Sequence, residues 1–179
     1  MEERTRDWSR DVYEVMGAEG IRYVATVPDG GLTRLLQRCQ ADEAKRVVTL
    51  TTEEEGVAFL AGAWLGGERG ALLMQSSGVG NCINMLSLPR VCRIPCVLLI
   101  TMRGVWGEFN PWQVPMGRAV RPALEAMNVV VYEPDGADDV GDAFRAASRH
   151  AHHTGSTAAV LIGQRIVGSK DFERREADG

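Results

Sequence analysis

Short apolar runs alternate with segments of helical period along the chain. Runs bounded by Gly, Pro or Asp and too short for a helix read as strands, and apolar recurrences every three to four residues read as helices. Helical periodicity covers about Arg6 to Met16, and Gly20 closes that unit before a strand at Tyr23 to Val27. The turn Pro28-Asp29-Gly30-Gly31 leads into a helix ending near Gln40. A strand at Arg46 to Leu50 precedes a helix from Glu53 to Leu65, which Gly66 and Gly67 end. A third strand, Ala71 to Gln75, passes through Ser76-Ser77-Gly78-Val79-Gly80-Asn81, read as a linking loop, into a helix reaching Val91.

The stretch Cys96 to Thr101 is the most hydrophobic and fits a strand buried on both faces at the centre of a sheet. From Met102 to Pro115 periodicity is lost and Gly104, Gly107, Pro111 and Pro115 accumulate, which predicts a long loop, a feature that usually has a function. Met116 to Met127 resumes a helix, Val129 to Tyr132 a strand, Asp138 to His150 a helix and Ala158 to Ile162 a last strand. Six strands with interleaved helices predict one doubly wound, mainly parallel α/β domain over residues 1–168, with helices on both faces. The charged segment 169–179 reads as a frayed tail.

Composition narrows the classes. The 179 residues are 45% apolar and 25% charged, enough for one folded core and against a disordered or fibrous chain. Net charge is -4 with no basic run, which argues against nucleic acid. The longest apolar stretch, Val91 to Thr101, is broken by Arg93 and is about half of the ~20 residues a membrane span needs. The amino terminus lacks a signal-peptide core, so the expectation is a cytoplasmic protein without a membrane segment. Cys39, Cys82, Cys92 and Cys96 lack zinc-site spacing and read as reduced core thiols. His150, His152 and His153 fall at a helix end, where the dipole favours them, and no metal site is expected on this chain.

Parallel sheets bind ligands beyond the carboxyl ends of their strands, and four strand-to-helix turns carry chemistry there. Thr51-Thr52-Glu53-Glu54-Glu55-Gly56 allows Thr52 to cap a helix with Glu55 reaching back, or else one carboxylate to enter an apolar site and exchange a proton. The glycines of 76–81 permit close approach of a ligand or simply a tight turn; the stretch is neither a Walker loop nor a dinucleotide fingerprint. Met102 to Gln113 combines Trp106, Phe109 and Trp112 with Arg103, a fork suited to an anion or to loop carbonyls. Pro28-Asp29-Gly30-Gly31 on its own reads as a turn.

In series, V-P-D-G-G-L at 27–32, T-E-E-E-G-V-A-F-L-A-G-A-W-L at 52–65, Q-S-S-G-V-G-N-C-I-N-M-L-S-L at 75–88, I-P-C-V-L-L-I-T-M-R-G at 94–104 and Q-V-P-M-G-R at 113–118 resemble the pyrimidine-binding domain of thiamine diphosphate-dependent decarboxylases. The sulfopyruvate decarboxylase α subunits and phosphonopyruvate decarboxylases are the branches most similar. The resemblance implies that Glu54, before Glu55 and Gly56, hydrogen-bonds N1′ of the cofactor's aminopyrimidine and exchanges the proton that activates it. It implies that Ser76, Ser77, Gly78, Gly80 and Asn81 lie beside that ring, with Asp29, Arg103 and Gln113 near a small anionic 2-oxo acid. Gly30 stands where relatives often have Ser, and Gln113 where phosphonopyruvate enzymes tend to have His, so sulfopyruvate is the expected substrate.

The G-D-G motif that holds the diphosphate and Mg2+ in full-length members is missing from the sequence. The resemblance therefore implies a separate β subunit carrying that half, an α2β2 or larger assembly, and Trp106, Phe109 and Trp112 as candidates for the β contact or for a lid. The competing expectation is a non-catalytic α/β ligand-binding or regulatory module.

Overall fold

In a computed structural model, described over residues 7–168, six strands form a single sheet in which every pairing is parallel. The chain runs α1 (Trp8–Ala18), β1 (Ile21–Thr26), α2 (Thr33–Gln40), β2 (Arg46–Thr49), α3 (Glu53–Leu65), β3 (Arg69–Gln75), α4 (Ser76–Cys82), α5 (Ser87–Cys92), β4 (Cys96–Thr101), α6 (Gln113–Ala126), β5 (Val130–Tyr132), α7 (Val140–Thr154), β6 (Thr157–Ile162) and α8 (Gln164–Val167). The strand order is β2-β1-β3-β4-β6-β5. This is the doubly wound α/β architecture expected from the alternation of periods. The expected tail, 169–179, lies outside the described residues.

Burial on both faces explains the unbroken apolar strands. All six residues of β4 are buried, and so are all six of β6 beside it. Alternation sends Val97 and Leu99 to one side, where they join Met16, Leu35 and Phe144 of α1, α2 and α7. Leu98 and Ile100 face the other side with Val57, Val79, Leu86, Val120 and Leu124 from α3 to α6. Register aligns these layers across the sheet, with Leu72 opposite Leu98 and Leu99 opposite Val160.

The connection leaving β1 passes through α2 on the first face to β2, whereas that leaving β3 passes through α4 and α5 on the second face to β4. Adjacent strands whose connections diverge open a crevice at their carboxyl ends. The crevice between β1 and β3 is bordered by the Asp29 turn on one side and Gln75 on the other.

Three local expectations need correction. Residues 76–81 are not a loop: α4 begins at Ser76, because the backbone turns helical as soon as β3 ends, and it is separated from α5 by a short turn. The long loop is shorter than expected, since α6 starts at Gln113 with Pro115 in its first turn, where a missing N–H costs nothing. The four-residue helix α8 has too few residues to show a period and was not expected.

Candidate active site

Three consecutive glutamates begin α3, and only the first is buried: Glu53 is 8% exposed, while Glu54 and Glu55 face outward. Successive residues of a helix point about 100° apart, so one carboxylate at most can turn toward a neighbouring helix. Glu53 turns toward α4. Its Oε2 accepts a hydrogen bond from Asn81 Nδ2 at 2.8 Å. A Cβ at Gly78 would stand 2.4 Å from Glu53 Cδ and Oε1, so the absent side chain at 78 is what makes room for the carboxyl group. The capping pattern also shifts, because Glu55 bonds the N–H and hydroxyl of Thr51 rather than reaching Thr52, and the Thr52 side chain makes no capping bond.

At the crevice between β1 and β3, Asp29 is fixed from two strand ends and its own turn. Its Oδ1 accepts from Gln75 Nε2 at 2.8 Å, and its Oδ2 accepts from Gly31 N at 3.0 Å and Thr101 Oγ1 at 3.1 Å. Ser77 in turn donates to Gln75 Oε1 at 3.0 Å. Asp29 lines a cleft of about 380 Å³ whose other walls are uncharged, among them Thr33, Gln37, Gln40 and Thr49.

Arg103 is buried at the end of β4, and its fork is already engaged: Nε and Nη2 donate to the two oxygens of Glu108. The hydrogen bonds to Glu108 hold the guanidinium protonated above its ordinary value, with the charge of Asp29 adding to the effect. The same pair, helped by the N–H groups of Asn110 and Gly104, holds the Glu108 carboxyl down to about 2. Gln164 closes the network, donating to Glu108 Oε2 at 3.0 Å and accepting from Val105 N and Trp106 N at 2.9 and 2.8 Å. Gly104, at φ +78°, is required here, since a Cβ would meet the Gln113 carbonyl oxygen at 2.1 Å. Ser76 is fully buried and its Oγ accepts from Arg103 N. Gln113 Oε1 is buried without a hydrogen-bond partner.

The expected site residues thus fall along one edge of the sheet. Ser76, Ser77, Gly78, Gly80 and Asn81 lie on α4, with Ser77, Gly80 and Asn81 exposed; Asp29 borders the crevice, Arg103 follows β4, and Glu54 is exposed at the head of α3. Sequence reasoning missed Glu53, Gln75, Thr101, Glu108 and Gln164. The bonds that fix Glu53, Gln75, Thr101 and Gln164 span 28 to 72 positions and carry no local signal, and Glu108 meets Arg103 only once the loop folds. Cys39, Cys82 and Cys96 are buried, and burial pushes their thiols up to about 11, 12 and 12; Cys92 is exposed, contrary to the expectation of a core thiol. His152 packs against Trp64 with ring centroids 5.8 Å apart, and burial pulls its imidazole below the ordinary value. Among the described residues no group of three or more His, Cys, Asp or Glu could hold a metal ion, and no helix is long and apolar enough to cross a membrane.

Residues 6–108 match the model of the thiamine pyrophosphate enzyme, N-terminal TPP binding domain. The chain is 36% identical over 157 residues to the sulfopyruvate decarboxylase subunit alpha of Methanothermobacter thermautotrophicus, covering 87% of this chain and 95% of that one. It is 38% identical over 151 residues to the phosphonopyruvate decarboxylase of Streptomyces viridochromogenes, covering 83% of this chain but only 38% of that longer protein. Among solved structures, the 2-oxoglutarate:ferredoxin oxidoreductase of Magnetococcus marinus superposes with a TM-score of 0.68 at 12% identity, over 88% of this chain and 29% of that one, a likeness of fold. Together with the buried carboxylate at the head of α3, these matches show that the chain belongs to the thiamine pyrophosphate enzymes, as their N-terminal TPP-binding domain.

Proposed function

We propose that this chain is the α subunit of a two-subunit thiamine diphosphate-dependent 2-oxo acid decarboxylase, acting on sulfopyruvate to give sulfoacetaldehyde and CO2. The observation that carries this reading is the head of α3, where Glu54 stands exposed beside a Glu53 carboxylate that is buried and anchored by Asn81. The aminopyrimidine half of the cofactor requires a fixed carboxyl group able to exchange a proton with N1′. Glu53 braces the turn that carries such a group, with one oxygen tethered to Asn81 and the other against the bare backbone of Gly78, so that neither is open to the ring. When bound, thiamine diphosphate supplies the electron sink for the pair released as CO2 leaves a 2-oxo acid.

The role belongs to Glu54, the glutamate that the resemblance sets against N1′, and its exposure at the head of α3 is what a ring bound between two chains requires. Glu54 exchanges the proton with N1′, and the bond from Asn81 to Glu53 holds the turn that carries it. Ser77, Gly80 and Asn81 offer the outer face of α4 to the ring, while buried Ser76 ties α4 to the Arg103 backbone. Asp29 borders the substrate, oriented by Gln75 and Thr101. Arg103 lends the sulfonate the Nη1 donors that Glu108 does not take, and Gln113 presents its unpartnered Oε1 to a donor. The diphosphate and Mg2+ belong to a separate β subunit in an α2β2 or larger assembly. Similarity to subunits named alpha, over nearly their whole length, supports this division.

The test is decarboxylation by the chain reconstituted with a diphosphate-binding β subunit. Glu54→Gln should lower turnover by about a thousandfold or more, the size expected for losing a proton-transfer group, while Glu53→Gln lowers it far less. Wild-type turnover by folded Glu54→Gln would sink the reading.

A further inference from the structure

We propose that the 103–112 loop between β4 and α6 is a preformed docking surface for the separate chain that carries the diphosphate half of the site. The inference rests on the two-subunit reading above and adds to it the surface that joins the chains.

The loop exposes Val105, Trp106, Phe109 and Trp112, which are 50%, 46%, 47% and 84% accessible. Arg165 of α8 stacks on Trp106 at 5.2 Å. Trp, Phe and Arg are the residue types concentrated at the energetic centres of protein interfaces, and a contiguous exposed patch of them marks an interaction site. The one acidic side chain of the loop, Glu108, is turned inward with its side chain 4% exposed. The outward face of the loop therefore carries no charge of its own to desolvate when covered.

The loop is held too firmly to serve as a lid. Glu108 accepts from Arg103, from the N–H groups of Gly104 and Asn110, and from Gln164, while Gln164 Oε1 accepts from Val105 N and Trp106 N. Opening would break this buried network, whereas docking onto a rigid surface loses little ordering entropy.

The occupant follows from chain length. The chain spans 95% of a relative named as subunit alpha, but only 38% of a relative whose name carries no subunit designation. The polypeptide that the longer protein adds is what a second chain supplies. Another copy of this chain would bring the same half of the site again and leave it incomplete.

The experiment is calorimetric titration of the full-length chain with the separately purified diphosphate-binding β subunit, with thiamine diphosphate and Mg2+ present. Trp106→Ser and Trp112→Ser should each weaken binding about thirtyfold or more, as truncation of interface hot spots does. Leu65→Ser, an exposed apolar position at the far end of α3, should leave it unchanged, and the melting temperature of all three isolated chains should stay at the wild-type value. Wild-type affinity in both Trp variants overturns the proposal while leaving the decarboxylase reading intact. A raised KM at unchanged subunit affinity identifies a lid and overturns it too. So does self-association of the wild-type chain that both variants abolish. Failure of the wild-type chain to bind any β subunit overturns both readings.

Discussion

Asn81 donates from Nδ2 to Glu53 Oε2 across 2.8 Å, joining two helices whose contact residues lie 28 positions apart. Asn81 is exposed and Glu53 is buried, so the bond reaches inward from the open face of α4 and fixes which way the carboxyl group points. Its loss should be felt in chemistry more than in folding. Asn81→Ala should lower turnover of the reconstituted enzyme about tenfold to a hundredfold, the scale of a small misplacement of a reacting group, with little change in melting temperature. Full activity in Asn81→Ala would show that the bond positions nothing.

Gly78 leaves the volume that Glu53 occupies. Gly78→Ala sets a Cβ 2.4 Å from the carboxyl carbon of Glu53, and the group that must yield is the one that braces the head of α3. Overpacking of this kind costs about 1–3 kcal/mol. The expected outcome is a folded chain with a modestly lowered melting temperature and a much larger loss of decarboxylation. Equal activity in wild type and variant would mean that Glu53 can move away without consequence.

Glu108 links the loop to pH. Its carboxyl is held from the ordinary 4.5 down to about 2 by Arg103 and by the Asn110 and Gly104 N–H groups. A carboxylate whose folded value is depressed contributes stability above its unfolded value and loses it as pH falls through the folded one. Chemical denaturation from pH 5 down to pH 2 should therefore show wild type losing on the order of 2 kcal/mol from this group, discounted for the solvent around the loop. Glu108→Gln should be less stable at neutral pH, since Arg103 is left buried with its charge unpaired, and should show a flatter acid dependence. Parallel acid profiles for the two proteins would refute the assignment.

Thiol chemistry distinguishes Cys92 from the rest. Cys39, Cys82 and Cys96 are buried with thiols at about 11, 12 and 12, so they remain protonated and shielded at pH 8. A thiol-exchange reagent added to native protein should titrate a single group rapidly, four after denaturation, and none rapidly in Cys92→Ser. Rapid reaction of a second thiol in the native state would contradict the burial of these residues in the two cores flanking the sheet.

Much of the fold was legible because its strands are buried on both faces and its helices are punctuated. The ranges of β4 and α3 agree with the expectation residue for residue, since a run such as Cys96 to Thr101 admits no other reading beside Pro95 and Gly104. The start of α4 was not legible. Ser and Gly in succession suggest a loop, but burial of Ser76, Gly78 and Val79 against the sheet outweighs their weak helix propensity. The sequence left Arg103 open as a fork for an anion or for loop carbonyls, because Glu108 is separated from it by a glycine-containing turn that only the folded loop closes.

The sequence by itself determined the alternation of strands and helices, the doubly wound class and the turn in which the carboxylate would be found. Only the tertiary structure decided which glutamate of Glu53, Glu54 and Glu55 turns inward. The reason is geometric: α3 is apolar over most of its circumference, so no stripe marks its inner face, and the phase of its first turn is set by contact with α4. A glycine at 78 and an asparagine at 81, distant along the chain, select Glu53 by leaving it space and a hydrogen bond.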